Sequence, residues 1–492
     1  MKLSASEIQA LLPLFFPALA ACLLPIAALD RDQKSTKWIR GALFAVALFA
    51  VGLSFHYFTG LWAQGFQPSI GHLRMDRLAQ FTGIFVMVAA ALAILQLWDH
   101  LHHEGWVRGE SLSLLLFSCV GMVVFASTSH LLLLFLGLEL LSIPLYALTA
   151  TVRTRPQAVE GGLKYFLTGA VAASCFLMGA VLLYGFTGSL DVGVIGAALN
   201  RNPEPLALLG AALLLLGFLF KISAVPFHQW TPDAYEAAPH PIAGFMSVAT
   251  KGAALIALLR VFPGALSMGE PLGAKVRMAV AILAAATLVL GNLSALSQTN
   301  VKRMLAYSSI SHAGYLLLGL VAGTPNAQAG MLFYLAVYLA MNMGAFGLLT
   351  VFGLVGDRTH YDDLRGLGWK RPGVALAASL CMFSLAGIPP TAGFYGKYMI
   401  FKELIGTGHV GLALLGVLAS LVSVYYYLRV MVVLFMEAPR PGQAREAGEA
   451  PAVHAPFAGA TLLVCGFLVI LAGLIHPRLM NDFALRALDA FR

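Results

Sequence analysis

Apolar runs recur from one end of the chain to the other, each of about 20 residues and separated by short polar connections. Such a run crosses about 30 Å of hydrocarbon as a helix. The runs are continuously apolar instead of alternating, which excludes a transmembrane β-barrel. They predict about fourteen membrane helices, near 8–29, 39–59, 77–98, 111–127, 131–150, 160–186, 205–235, 240–262, 276–297, 302–322, 327–355, 373–404, 410–436 and 457–476. Proline breaks two of them: Pro226 lies within the seventh, Pro389 and Pro390 within the twelfth. These are the fourth members of successive groups of five, and a five-span unit repeated in tandem must insert its second copy upside down. The expected fold is therefore an all-α polytopic membrane protein with two inverted five-helix repeats, each containing one broken helix. Residues 1–105 would hold three N-terminal helices, 106–265 the first repeat, 266–437 the second, and 438–492 a polar loop and the last helix. The loop belongs to the longest polar stretch, Glu437 to Ala455.

Composition narrows the class. With 59% hydrophobic and 11% charged residues, the chain has no room for a sizeable soluble domain. The net charge of +8 is dispersed among short connections, which fits membrane orientation better than nucleic-acid binding. Odd-numbered connections are richer in Lys and Arg, among them Arg31, Lys34, Lys37, Arg40, Arg153, Lys302, Arg303 and Arg371. The positive-inside rule, with an even helix count, puts both termini outside the cytoplasm. The five cysteines stand singly within apolar runs and form no CxxC, so neither a metal site nor an iron–sulfur cluster is expected. No GxGxxG or Walker loop points to nucleotide chemistry, and the chain is expected to bind no cofactor. Leu19-Ala20-Ala21-Cys22 imitates a lipoprotein cleavage site, but the run stays apolar to Leu29 and reads as an uncleaved first helix.

The candidate chemistry lies in charges set inside the spans. Glu139 stands in LLLLFLGLELLSIPLYALTA, Lys221 precedes the first break, Lys251 lies in GFMSVATKGAALIALL, and Lys397 follows the second break. A charge at membrane depth costs several kcal/mol unless paired or hydrated, so its default reading is functional. Desolvation favours the neutral form and an opposite charge the ionised one, so a lysine that gains and loses a carboxylate partner can trade a proton. Glu139 is expected to pair with Lys221, with Lys251 and Lys397 continuing a polar axis supplied with water at the breaks. His312, with Ser308, Ser309 and Ser311 around it, is a candidate relay. Further candidates are Lys164 and His228, each with a plain structural alternative: snorkelling to the surface for the lysine, a bond to a freed carbonyl for the histidine. Asp233, with Glu236 nearby, is either a proton intake or a solvated helix end.

These residues carry a resemblance. PFHQWTPDAY with Ala238-Pro239, the triplet Ala249-Thr250-Lys251, NLSALSQTNVKRMLAYSSISHAGY and GIPPTAGFYGKY resemble the signatures of the antiporter-like subunits of respiratory complex I. The Thr-Pro-Asp-x-Tyr wording, the Ala-Thr-Lys and the lysine after the second break are most similar to the subunit N branch of bacterial NADH:quinone oxidoreductase. The resemblance implies fourteen helices and proton translocation driven by quinone reduction elsewhere in the complex. NADH, FMN, iron–sulfur clusters and quinone would then belong to partner subunits, both membrane and peripheral, in a bacterial inner membrane. It places the family's transmembrane glutamate on Glu139, its lysines on Lys221, Lys251 and Lys397, and its linking histidine on His312. The eleventh helix departs from the sister subunits: MLFYLAVYLAMNMGAF has no histidine, only Tyr334, Tyr338 and Asn342, so a relay there must use hydroxyls and water. Rival readings are a subunit of a cation/proton antiporter or energy-converting hydrogenase, and a non-transporting assembly scaffold.

Overall fold

The computed structural model describes residues 4–27, 36–104, 109–152, 154–265, 272–353, 358–438, 455–474 and 477–491. The loop expected at 438–455 falls almost wholly outside them, as do Arg31, Lys34 and Arg153. The chain begins with α1 (Ala5–Ala27) and α2 (Thr36–Gln64), a small hairpin of β1 (Ser69–Ile70) and β2 (Leu73–Arg74), then α3 (Arg77–Glu104), α4 (Gly109–Ala126), α5 (Leu131–Thr149) and α6 (Pro156–Thr187). A short α7 (Val192–Arg201) precedes α8 (Pro205–Ile222) and α9 (Trp230–Ala237). The next crossing is α10 (His240–Phe245), a π-helical turn (Met246–Thr250) and α11 (Lys251–Ala265). There follow α12 (Leu272–Leu296), α13 (Val301–Ala322), α14 (Pro325–Gly353), α15 (Pro372–Ala386), α16 (Ala392–Gly406), α17 (Val410–Phe435), α18 (Pro456–Leu474) and α19 (Pro477–Ala487).

Among the described residues, thirteen helices are long and apolar enough to cross a membrane, and α15 with α16 supplies a fourteenth crossing. The expected count holds. Three elements were not anticipated: the hairpin, α7 and α19. The helix α7 is only ten residues long and starts because the Asp191 carboxylate accepts from Gly193 N and Val194 N at 2.8 and 3.3 Å.

Both breaks have the same cause. Each first half ends in a left-handed residue, Ser223 (φ 62°) or Gly387 (φ 83°), and proline then denies the chain a helical N–H. Val225–Pro226 and Pro389–Pro390 are both cis.

Backbone bridges report which connections share a face. Leu73 pairs with Thr128 and His130 with Asp191, joining the connections after the second, fourth and sixth crossings. At the other end Asn300 pairs with His360 and donates to Glu236 at 3.2 Å, joining those after the seventh, ninth and eleventh. Alternating crossings require this grouping. The crossing built on α10 and α11, with α13 and α14, forms the buried centre. On α6, α12 and α17 apolar side chains such as Val171, Ile282 and Leu421 face outward. The helices α4 and α5 approach closely because Gly137 lies against the Phe125 backbone, where an added Cβ would meet Phe125 N at 2.7 Å.

Candidate functional site

Lys221 occupies the last turn of α8 and is 3% exposed. Helical side chains lean toward the N-terminus of their own helix. The lysine therefore reaches back, away from the carbonyls that the break leaves open. Its amine ends 5.3 Å from the Tyr146 ring centroid on α5 and 5.4 Å from that of Tyr165 on α6, inside an aromatic cage that favours a cation. The break's own carbonyl at Phe220 is taken by Trp230 Nε1 at 3.1 Å.

The expected Glu139–Lys221 ion pair does not form. The two charges lie within electrostatic range, yet Glu139 Oε1 and Lys221 Nζ have no hydrogen-bond partner among the described residues. Glu139 sits on a partly exposed face of α5, and the amine meets the ring of Tyr146, two turns further along the same helix, instead.

From this cage an aromatic ladder runs inward. Tyr165 stacks on Trp230 with centroids 4.2 Å apart, and Trp230 meets Tyr235 edge-on at 6.2 Å. Lys251 then lies with its amine 5.8 Å from the Tyr235 ring centroid, 2% exposed and again without a hydrogen-bond partner among the described residues. It follows directly on the π-helical turn, a distortion frequent at functional sites. A buried amine with no protein acceptor donates its hydrogens to water wherever its site has room.

His312 forms the hub of the second half. Its Nδ1 lies 2.6 Å from Tyr334 OH and its Nε2 2.9 Å from Tyr427 OH, while the Tyr338 ring stands 4.9 Å away, centroid to centroid. The expected serines are secondary: Ser308 bonds Tyr427 OH and Ser311 donates to the Ser308 carbonyl, while Ser309 faces Tyr338 and Tyr235. His312 is within electrostatic range of both Lys251 and Lys397.

Lys397 lies in the second turn of α16, so the same backward lean carries it toward the break. Its amine donates to the Leu385 and Ala386 carbonyls at 3.0 and 3.3 Å and to Ser420 Oγ at 2.9 Å, 4.7 Å from the Tyr315 ring centroid. Those carbonyls are the negative end of α15. The two lysines thus differ through helix geometry: one turns away from its break and the other caps it.

The remaining candidates stand apart from this line. Lys164 is half-exposed and pairs with Glu160 at 2.7 Å and Asp233 at 3.0 Å. Asp233 also accepts from Arg303 at 2.8 Å, and Arg303 reaches Glu236 at 2.9 Å. This ion network closes one end of the bundle, so Asp233 is not a free acid there. His228 is half-buried in the break, within reach of the Pro226 carbonyl.

Sequence reasoning missed Tyr146, Tyr165, Tyr235, Tyr315, Tyr427 and Ser420. A signal existed: tyrosine belongs at membrane interfaces, so tyrosines deep inside apolar runs stand out.

The family profile described as "NADH:quinone oxidoreductase/Mrp antiporter, TM" matches residues 128–423. NADH-quinone oxidoreductase subunit N 1 of Sorangium cellulosum is 44% identical over 468 residues, covering 92% of this chain and 89% of that one. In respiratory complex I from Thermus thermophilus with bound aureothin, a chain superposes with TM-score 0.80 at 35% identity, over 96% of this chain and 99% of its own. A chain of the membrane-bound sulfane sulfur reductase, an archaeal respiratory membrane complex, superposes with TM-score 0.84 at 25% identity, over 97% of this chain and 96% of its own.

Proposed function

The chain belongs to the transmembrane family shared by NADH:quinone oxidoreductase and Mrp antiporters, in its subunit N branch, and from that premise we propose that it moves protons across a bacterial inner membrane as part of NADH:quinone oxidoreductase. One observation carries the reading. Lys221, Lys251 and Lys397, each 2–3% exposed, alternate with buried hydroxyls and with His312 through the middle of the bundle. No carboxylate neutralises any of the three by a direct ion pair among the described residues, so each amine can change charge without breaking a salt bridge.

In this reading Glu139 tunes Lys221 through space, the tyrosine–tryptophan ladder spans the interval to Lys251, and His312 with Tyr334 and Tyr427 connects Lys251 to Lys397. Hydroxyls and water carry protons between stations. The residues 106–265 and 266–437 act as paired halves, one for each break. Electron transfer from NADH to quinone belongs to the cofactors of partner subunits, while the outward apolar faces of α6, α12 and α17 meet lipid and sister membrane subunits. The face with Lys302 and Arg303 is cytoplasmic and both termini are periplasmic.

The test is Lys251→Ala and Lys221→Ala in the assembled complex, reconstituted in vesicles. NADH-driven proton uptake falls several-fold per complex, and the chain co-purifies with NADH-oxidising subunits. Wild-type pumping in both variants overturns the relay and favours a scaffold. Co-isolation with hydrogenase, antiporter or sulfur-reducing partners instead overturns the assignment to NADH:quinone oxidoreductase.

A further inference from the structure

Asn342 lies in the middle of α14 and is fully buried. Its amide nitrogen donates to Ser247 Oγ on the π-helical turn and to Tyr338 OH at 3.0 Å on its own helix. Its Oδ1 has no hydrogen-bond partner among the described residues.

The hydrogen bonds around Ser247 fix which way this amide faces. Ser247 has one hydroxyl hydrogen and commits it to the Gly244 carbonyl at 2.6 Å. With that hydrogen committed, the group opposite its oxygen is a donor, which assigns the NH₂ of Asn342 to the Ser247 side. One amide hydrogen goes to Ser247 and the other to Tyr338.

Two consequences follow. The first concerns Lys251, which starts the α-helix immediately after the π turn Met246–Thr250. The tie from α14 to Ser247 holds that turn, and the turn sets the direction in which Lys251 leaves the backbone. The second concerns Tyr338. An oxygen that accepts from Asn342 sends its own proton elsewhere. That proton does not go to His312, whose ring nitrogens face Tyr334 and Tyr427. Of the hydroxyls around it, which include Tyr426 and Tyr427, Ser309 is the one within bonding reach, and Ser309 also faces Tyr235, the ring beside Lys251.

We infer that Asn342 is a positioning residue for proton transfer between Lys251 and His312, acting as an obligate donor that holds the π turn and points the Tyr338 hydroxyl toward the lysine. The inference rests on the proton-relay reading. Asn342 touches no cofactor and does not itself change charge. It supplies here, on the histidine-free eleventh helix, the fixed dipole that orders the neighbouring hydroxyls.

The experiment uses the whole complex in vesicles, reading NADH-driven proton uptake per assembled complex in H₂O and D₂O. Asn342→Leu removes donor and acceptor at similar volume. Uptake falls at least fivefold and its solvent isotope effect at least doubles, because the step between Lys251 and His312 becomes limiting. Ser247→Ala and Tyr338→Phe shift the isotope effect in the same direction, and each combined with Asn342→Leu is no worse than Asn342→Leu alone. A merely structural role lowers the amount of complex and leaves the isotope effect at its wild-type value, which overturns the inference. So do losses that multiply in the double variants. Should Asn342→Leu fail to assemble, Ser247→Ala decides: a wild-type isotope effect there is equally fatal. Lys251→Ala is the control for the underlying reading. If it pumps normally the relay itself is wrong, whereas a dead Lys251→Ala beside a normal Asn342→Leu removes only the role of Asn342.

Discussion

The Asp76–Arg260 pair gives the sharpest stability prediction. Asp76 precedes α3, and its carboxylate accepts from Arg260 Nη1 and Nη2 at 2.6 Å each and from Ala79 N at 3.0 Å. Arg260 also donates from Nε to the Ala126 carbonyl at 2.7 Å, so one buried fork holds α11, the start of α3 and the end of α4. The side chains are 5% (Arg260) and 11% (Asp76) exposed, which removes most solvent screening. Taking away one partner strands the other charge, at a cost of about 3–5 kcal/mol. Asp76→Asn keeps a capping oxygen at the start of α3 but strands the Arg260 charge, at about 3–5 kcal/mol. Arg260→Met leaves the Ala126 carbonyl short of a partner and falls at about 3–5 kcal/mol as well. Asp76→Asn with Arg260→Met leaves no unpaired charge, so the double variant costs far less than the sum of its singles, with a coupling of at least about 2 kcal/mol. Equilibrium unfolding of the purified chain in mixed detergent–SDS micelles measures all four states of this cycle. Single variants costing under about 1 kcal/mol, or costs that simply add, would refute the argument that a largely desolvated charge pair clamps these helices.

Three further outcomes follow from other parts of the molecule. Burial holds the His130 imidazole below the usual histidine range, helped by the His72 ring stacked 4.1 Å away and opposed by Asp191. A depressed histidine stabilises the fold while neutral, so this contribution is intact above about pH 6.5 and fades as pH drops toward the folded-state value; melting curves between neutral and acid pH show the loss, and His72→Gln lessens it. Gly137→Val drives a side chain into the Phe125 backbone and costs about 1–3 kcal/mol by overpacking, visible as lowered recovery of the assembled complex. Arg303→Gln opens an ion network whose members are a third exposed, so it costs under about 1 kcal/mol, and raised salt shrinks even that difference in a chemical-denaturation curve.

What was legible in advance was whatever hydropathy and proline can encode. Pro226 and Pro389-Pro390 interrupt runs too long and too apolar to be anything but crossings, so both breaks were readable, and the alternation of connections followed from counting. The lysines were readable because hydrocarbon tolerates no idle charge. The hydroxyls between them were not, because a buried tyrosine scores much like any other large side chain in an apolar window. The amphipathic α7 and α19 were lost for the opposite reason: ten or eleven residues with a polar face do not make a crossing.

The failed Glu139–Lys221 pair shows a different limit. Charge complementarity along a chain says which groups attract, not which of them can meet. A rule of helix geometry does say something here, since side chains lean toward the helix N-terminus. A lysine before a break therefore turns from the broken end into neighbouring helices, where Lys221 meets Tyr146 and Tyr165. A lysine after a break turns into the broken end, where Lys397 meets the Leu385 and Ala386 carbonyls. Position relative to the proline thus selects between an aromatic cage and a carbonyl cap, two environments that hold a proton by different means. The cage supports a cation through ring faces and the nearby Glu139 charge, while the cap supplies fixed acceptors from the negative end of α15. The two breaks therefore share one backbone device but present their amines to unlike surroundings.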